Sequence, residues 1–519
     1  MASTFFGLTI AYSGLQAANT SLTITGHNVS NINTKGYTRQ QAGTQAADAL
    51  RTHTTYGAIG SGVVVTEISQ IRDSYYDVKY RNNMANYGQY SVKESYMGQI
   101  EDYLDEFTLN GYSQEYKNFF SAVNQLTITP GDTSAKNQLI NNAKSLADYF
   151  NTLTTNLRNV QADANNEIKD AVQQINSYAK NIAALNRQIN QIEANYGNAN
   201  DLRDKRNAMI DELSEIVNLE TSEEDMGNNV SNFSVRINGQ TLVSSYSYNT
   251  LETVARTDKK NYSDAEGLYD VQWNSGQKFD MYSTSLSGHL KGLIDIRDGN
   301  NGEHENIETD DDGNNVTDSD GNLVLTTAPA ADKTVSYKGV PYYQAQLNEF
   351  AKIFSDAVNK IMKSGYTSDG SSKGISLFVT QPNTTVMSAG NITVNPELLK
   401  NADLLAIKKE QNDGESDAKI MEELNKLQSE KIFAGGTGSY FLESIVSDMS
   451  IDSQKAVNLY KNYTDLKTSI HNQRLSIMGV DTDEEAMDMI KYQQAYSLNS
   501  KMMSVMNQIY DKLINQTGI

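Results

Sequence analysis

The chain has no cysteine among its 519 residues. Disulfides and cysteine-held metals are thereby excluded. Proline is scarce. Pro130, Pro329, Pro341, Pro382 and Pro396 are its only five, and they leave 1–129, 131–328 and 397–519 open to uninterrupted helices. Basic charge is short as well: 43 Lys and Arg face 64 Asp and Glu, for a net charge of −21 and a sequence pI of about 4.7. A nucleic-acid backbone calls for a basic stripe, and none is visible. No segment offers the roughly 20 apolar residues of a membrane span, and the mean hydropathy is −0.55. No nucleic acid and no membrane are therefore expected as partners.

Charge of either sign is missing from the opening stretch. Lys35 is the first charged side chain. A secretory signal peptide would begin with a basic segment and a compact apolar core, and this stretch has neither. A disordered tail would be rich in charge. Instead Leu8, Leu15, Leu22 and Val29 recur every seventh residue, and Ala11, Ala18, Thr25 and Ile32 follow each by three. That is a heptad seam on a helix whose other faces are small and neutral. Such a helix suits close packing among several neighbours rather than exposure to water.

Farther along, NVSNINTKGYTRQ supplies turn residues, GAIGSGVVVTEISQI reads as a strand after a glycine turn, and 73–112 is helical and rich in Tyr, including Tyr80, Tyr87 and Tyr103. The clearest periodicity runs from Thr133 to Tyr196, through Leu146, Phe150, Leu153, Leu157, Val160, Ile168, Val172, Ile175, Ile182, Ile189, Ile192 and Tyr196. At 1.5 Å per residue this predicts a helix of about 90 Å. NDLRDKRNAMIDELSEIVNLE restarts a helix with Leu202, Met209, Leu213 and Ile216 on one face. From about 225 the period becomes two: FSVRINGQTLVSS carries an Asn-Gly turn, and LYDVQW and NLVLT are further strands. Helix resumes at 342–364.

The end mirrors the beginning. Leu459, Tyr463, Leu466, Ile470 and Ile477 form a second seam, Gly479 stops it, and Thr482 with Glu485 fits a capping box. On the last helix Ile490, Leu498, Met502, Val505, Ile509 and Leu513 make one apolar face. Tyr492, Tyr496, Met503, Met506 and Tyr510 make another.

Motifs that could carry chemistry are each incomplete. HENIE at 304–308 lacks the second His of a zinc-protease helix. GSSKG around Ser372 sits in loop-like sequence, where a nucleophile elbow needs a strand before it and a helix after it. ETDDDGNNVTDSDG places Glu308, Asp310, Asp312 and Gly313 as in a calcium loop, but Ser319 stands where the bidentate Glu belongs. No catalytic, cofactor-binding or metal-ligating residue is assigned.

GHNVSNINTKGYTRQ resembles the signature shared by flagellar rod, hook and hook-associated proteins, and VDTDEEAMDMIKYQQAYSLNSKMMSVMNQIYDKLIN resembles their shared C-terminal signature. NDLRDKRNAMIDELSEIV, SGHLKGLIDIRDG and NITVNPELL narrow the likeness to the hook-associated protein 1 family. Lys35 departs from the small residue or Pro common before that glycine.

A mostly α fold with a β-rich inserted domain is expected: an elongated chain with paired N- and C-terminal helices, a long helical rod and a central β domain. The expected domains are 1–50 with 456–519, 51–224 with 341–455, and 225–340. The resemblance implies a non-enzymatic structural protein of the bacterial flagellum at the hook–filament junction. It implies secretion through the flagellar type III export channel. The implied partners are the hook protein, the second hook–filament junction protein, a cytoplasmic export chaperone at the C-terminal helix, and copies of the chain itself in a ring. The assembly interface expected from the seams is Leu8, Leu15, Leu22, Val29, Ile32, Leu459, Leu466, Ile470, Ile477, Ile490, Leu498, Met502, Val505, Ile509 and Leu513. The alternative is an adhesin or secreted enzyme using the acidic central insert on the same scaffold.

Seams that lack their assembly neighbours, on a chain of charge −21, lead to the expectation of a monomer in isolation with weakly held ends. Amide exchange measured at dilute concentration should be faster at 8–32 and 486–513 than at 146–192. Equal protection in the three segments would refute it.

Overall fold

The computed structural model describes residues 6–51, 58–109, 112–310, 312–318, 320–331, 333–414 and 416–516. The chain opens with α1 (Phe6–Ser30), followed by β1 (Gln40–Ala46), β2 (Leu50–Arg51), β3 (Ala58–Ile59) and β4 (Val63–Gln70). Four helices follow: α2 (Ser74–Leu109), α3 (Tyr112–Ile128), α4 (Thr133–Glu193) and α5 (Asn200–Ile216). The middle holds β5 (Glu220–Asp225), β6 (Ser231–Ile237), β7 (Gln240–Ser244), β8 (Ser247–Tyr248), β9 (Leu251–Ala255), β10 (Tyr269–Trp273), α6 (His289–Asp298), β11 (Glu303–Ile307) and β12 (Leu325–Pro329). Then come α7 (Val340–Ser364), β13 (Tyr366–Thr367), β14 (Phe378–Thr380), β15 (Ile392–Val394), α8 (Pro396–Lys400), a 3-10 turn at Ala402–Leu404, β16 (Ala406–Lys408) and α9 (Lys419–Leu427). The long helices α10 (Gly438–Met478) and α11 (Thr482–Asn515) close the chain. The fold is thus mostly α with a β-rich centre. The strands form small antiparallel sheets, the largest in the order β5–β6–β7–β8. The turn between β6 and β7 is the expected Asn238–Gly239 pair, with φ of 49° and 77°; this left-handed pair matches the twist of the flanking strands.

Contacts divide the chain into two compact units. One comprises Met1–Ala85, Ile175–Thr250 and Thr464–Ile519; the other comprises Asn86–Gln174 and Leu251–Tyr463.

Helix α4 shows why the periodicity was readable. No proline or glycine interrupts its 61 residues, and the expected seam from Leu146 to Ile189 is buried throughout. The exceptions are Ile192, 41% exposed, and Tyr196, 90% exposed. The helix ends at Glu193, Gly197 N–H closes back on Ile192 O at 3.2 Å, and Tyr196 takes φ 61° beyond the last turn. The seam's gap between Val160 and Ile168 is polar for a reason. Gln161 is fully buried there; its Nε2 donates to Asp264 Oδ1 and Arg297 O, both at 2.8 Å, and its Oε1 accepts from Ala265 N.

The second unit is built on an aromatic cluster. Phe350 stacks on Phe433 at 5.0 Å, on Phe150 at 5.4 Å and on Phe354 at 5.5 Å, and Phe119 meets Phe354 edge-on. Helix α6 lies inside the segment read from sequence as β-rich. Its ten residues are too few for a period to separate helix from strand. It approaches α2 closely because Gly292 has no side chain: a Cβ there would stand 2.6 Å from Gln89 O.

At the end of α6 sits a buried ion cluster. Arg297 donates to Asp298 through Nε at 2.9 Å, and Arg256 reaches the same carboxylate at 2.8 Å. Burial alone would raise the Asp298 pKa, but the two guanidiniums hold it far below the usual carboxylate range. Glu305 and Asp264 differ. They are equally buried but, among the described residues, accept from neutral groups such as Asn348, Ser263, Gln161 and the Asn261 N–H, and burial pushes both upward.

Two outcomes follow for this unit. Phe350→Ala should destabilise it by about 3–5 kcal/mol, the cost of an aromatic removed from a packed core; chemical denaturation followed by fluorescence measures this, and a loss below about 1 kcal/mol would mean that the cluster is not the core. The raised carboxyls act through pH. Their folded pKa exceeds the unfolded one, so their ionised forms cost stability at high pH, and the cost fades as pH falls through the folded pKa. Glu305→Gln should therefore raise Tm by roughly 2–4 °C near pH 8 and by progressively less toward pH 5. An equal effect at both ends of a calorimetric pH series would show that the buried charge is not the cause.

Candidate assembly surface on the terminal helices

In the first unit α1 and α11 pack antiparallel. The residues that meet are not the leucines of the α1 seam. Ala11, Ala17, Ala18, Ser21, Ile24, Thr25 and Asn28 are buried, while Leu8, Leu15, Leu22 and Val29 are half-buried along the flanks. Two glycines set the closeness. A Cβ on Gly7 would lie 2.9 Å from Met506 Cε, and one on Gly14 would lie 2.6 Å from Asn499 Oδ1.

Among the described residues, helix α11 is covered on this side alone. Glu485 and Tyr510 are its only buried side chains among the described residues. The apolar face expected from the sequence stands open: Leu498 is 66% exposed and Val505 49%, and Ile490, Met502, Ile509 and Leu513 are likewise exposed. Of the second face, Met506 meets α1 and Tyr510 is buried, whereas Tyr496 is exposed. The remaining candidates are scattered. Ile32 lies past the end of α1 and is exposed; Leu466 is exposed on α10 and Ile477 half-buried. Ile470 is buried in the chain itself, and Leu459 belongs to the other unit.

The loop after α1 joins this pair to its surroundings by polar contacts that the heptad pattern does not reveal. Asn28 uses both ends of its amide: Nδ2 donates to Gln40 O at 2.9 Å and Glu485 Oε1 at 3.1 Å, and Oδ1 accepts from Gln40 N at 3.0 Å and Tyr37 Oη at 2.8 Å. Arg39 donates through Nε to Glu485 at 2.7 Å and through Nη1 to Glu484 at 2.5 Å. Burial opposes the Arg39 charge, and the two glutamates outweigh it and raise its pKa. Thr38 gives its N–H and hydroxyl to the two oxygens of Asp204, at 2.9 and 2.7 Å. Burial nonetheless pushes the Asp204 carboxyl upward. The one usable signal in the sequence was Asn28, a polar residue on the inner face of an apolar helix. The cap of α11 also differs from expectation. Asp481, not Thr482, accepts from the N–H groups of Asp483 and Glu484, and Glu485 is turned toward Arg39 instead of closing a capping box.

A cavity of about 510 Å³ opens beside the loop, with Lys35, Arg72, Asn207, Asp211, His471 and Arg474 in its wall. Its charges are largely paired: Arg474 contacts Asp77 at 2.8 Å and Asp211 at 2.6 Å, and Arg72 contacts Asp77 at 2.6 Å.

Elsewhere the candidate motifs resolve into ordinary structure. HENIE falls on strand β11. Ser372 follows a two-residue strand and exchanges hydrogen bonds with Thr367. The acidic loop is two copies of one tight turn, eight residues apart. Asp310 Oδ1 accepts from the N–H groups of Asp312 and Asn314, and Asp318 Oδ1 accepts from those of Asp320 and Asn322. Ser319 lies outside the described residues. Among the described residues no three His, Asp or Glu side chains converge as a metal site, and no helix is long and apolar enough to cross a membrane.

The comparisons agree with one another. The flagellar hook-associated protein FlgK helical domain matches residues 97–378, and the C-terminal domain of flagellar basal body rod FlgEFG proteins matches residues 471–516. The chain is 27% identical over 543 aligned positions to Flagellar hook-associated protein 1 of Bacillus subtilis, covering 100% of this chain and 99% of that one. It is 28% identical to the protein of the same name from Salmonella typhimurium, covering 97% and 98%. Among solved structures, the flagellar hook junction protein FlgK from Burkholderia pseudomallei matches its fold with a TM-score of 0.60 at 15% identity, over 77% of this chain and 100% of that one. With the helical-domain match alone spanning more than half of its length, the chain belongs to the flagellar hook-associated protein FlgK family.

Proposed function

We propose that this chain is a structural component of the bacterial flagellum that joins the hook to the filament, assembling through its terminal helices. The observation that carries the reading is the open apolar face of α11. Leu498, Met502, Val505 and Ile509 lie on a helix whose adjacent face is already packed against α1, and among the described residues of the first unit they remain exposed. Full burial of a Leu-sized side chain is worth about 1.5–3 kcal/mol. The half-exposed residues of this face therefore hold several kcal/mol per chain in reserve for contacts with neighbours.

In this reading 1–50 and 456–519 form an inner tube with other copies of the chain. The segments 51–224 with 341–455 form a rod outside it, and 225–340 lies outermost. The hook protein meets the assembly below and the second hook–filament junction protein above. Before assembly, a cytoplasmic export chaperone shields the C-terminal helix, and the chain leaves the cell through the type III channel. The role is structural rather than enzymatic.

Val505→Asp tests it. Val505 is 49% exposed in the isolated chain, so helical content and Tm of the purified protein should be unchanged. On assembly the carboxylate would be buried unpaired, at a cost of several kcal/mol or more. Cells carrying it should make and export the protein but build hooks without filaments and release flagellin into the medium. Ser504→Asp, one residue away on the exposed polar face, should swim normally. Normal swimming by Val505→Asp with normal export would rule out this face as an assembly surface. Unfolding of the purified variant would place it in the chain's own core.

A further inference from the structure

The pairing of α1 with α11 is periodic in a way that single contacts do not disclose. Met506 stands against Gly7, and Asn499 stands against Gly14. Ser21 and Tyr492 line one narrow cavity together with Asn28 and Glu485, and those last two are hydrogen-bonded at 3.1 Å. Each step of seven along α1 is answered by a step of seven backward along α11. Four layers result: glycine with methionine, glycine with asparagine, serine with tyrosine, asparagine with glutamate.

The first three layers discriminate poorly. Gly7, Gly14 and Ser21 make a shallow groove that takes whichever larger side chain faces it. A shift of one heptad, about 10.5 Å along the axis, would again set small residues against large ones: Asn499 against Gly7 and Tyr492 against Gly14. Only the fourth layer is particular. Glu485 is 1% exposed, and its Oε1 accepts from both Arg39 Nε and Asn28 Nδ2. The remaining bonds of Asn28 go to Gln40 and Tyr37. Arg39 also holds Glu484 and lies 3.5 Å from Asp488. Its three carboxylate partners thus span the first two turns of α11. A shifted helix would have to unwind those turns to gain slack from the short Gly479–Asp481 link. It would also carry Glu485 away from its cation.

We propose that Asn28, Arg39 and Glu485 form a register latch: they select one heptad alignment of α11 on α1 from those that the small-residue groove accepts. They act as positioning residues, through the helices, on where the open face of α11 is presented. That consequence for assembly rests on the function proposed above. The register itself is a property of the isolated chain and is tested there.

The chain's lack of cysteine allows the alignment to be read by disulfide trapping. Gly14→Cys with Asn499→Cys reports the native register. Gly7→Cys with Asn499→Cys reports the shifted one, because in the native register those positions are a heptad apart, beyond the roughly 7 Å that a disulfide spans. With the latch intact, only the first pair should close under mild oxidation. Adding Glu485→Ala should raise closure of the second pair roughly tenfold or more, the scale of losing charge-assisted hydrogen bonds. Adding Glu485→Asp should restore most of the native preference. Two results would overturn the proposal: Glu485→Ala leaving the native pair as the sole product, or abolishing both products, which would make the cluster a simple clamp. Because the readout uses purified chain, failure here leaves the assembly role intact. Failure of the Val505→Asp test would leave the latch intact.

Discussion

The terminal helix pair depends on atoms that are absent. Interhelical distance is set by the side chains at the contact, and at Gly7 and Gly14 there are none. Helix α11 can therefore settle close to the α1 backbone, with Met506 and Asn499 in the hollows. The neutrality of α1 follows from the same closeness. A full charge on that face would lose its water without gaining a partner. The helix that fills the hollows keeps a second apolar face turned outward. Small residues, missing charge and an open stripe are three views of one arrangement.

Apolar contact brings these elements together, and polar contact decides where they stop. In the first unit, ion pairs run from Arg39–Glu485 at the helix junction to Arg72–Asp77, Arg474–Asp211 and Arg81–Asp211, and the Thr38 hydroxyl donates to Asp204 among them. Buried pairs of this kind contribute little net stability, but removing one partner strands the other and is costly. They are directional, so they define geometry. The second unit repeats the division of labour, with a phenylalanine cluster for cohesion and the Arg297–Asp298–Arg256 knot beside it. Glu305 and Asp264 stand apart from that pattern. Among the described residues neither is in a direct ion pair, and their burial is what ties the unit's stability to pH.

Legibility followed length and repetition. Helix α4 could be read almost residue by residue because some ten buried positions share one seam, and errors arose only at its end, where Ile192 is exposed on the last turn and Tyr196 continues the spacing after the backbone has turned. The Asn238–Gly239 turn was readable because its left-handed backbone restricts the residues allowed there. The ten-residue α6 was not, since so short a segment gives periodicity little to work on. On α1 the heptad was real, but the more conspicuous half of it misled. Leucine marks hydrophobicity, whereas the seam that meets α11 is chosen by size. Alanine, serine and glycine win that contact, and the leucines remain on its flanks.

Taken alone, the order of residues determined that the chain is mostly helical with a strand-rich middle, that its ends are helices seeking helical partners, and that its two terminal signatures resemble those of flagellar axial proteins. Those properties depend on local steps of two, three, four and seven, which a linear sequence displays directly. Tertiary structure alone decided which face of α11 lies against α1 and which stays open. It also decided that Glu485, an apparent capping residue, instead answers Arg39 and Asn28 across more than 440 positions of chain. The reason is physical: a helix with apolar groups on most of its sides offers several possible contacts, and only the fit of a particular partner, at van der Waals and hydrogen-bond distances, chooses among them.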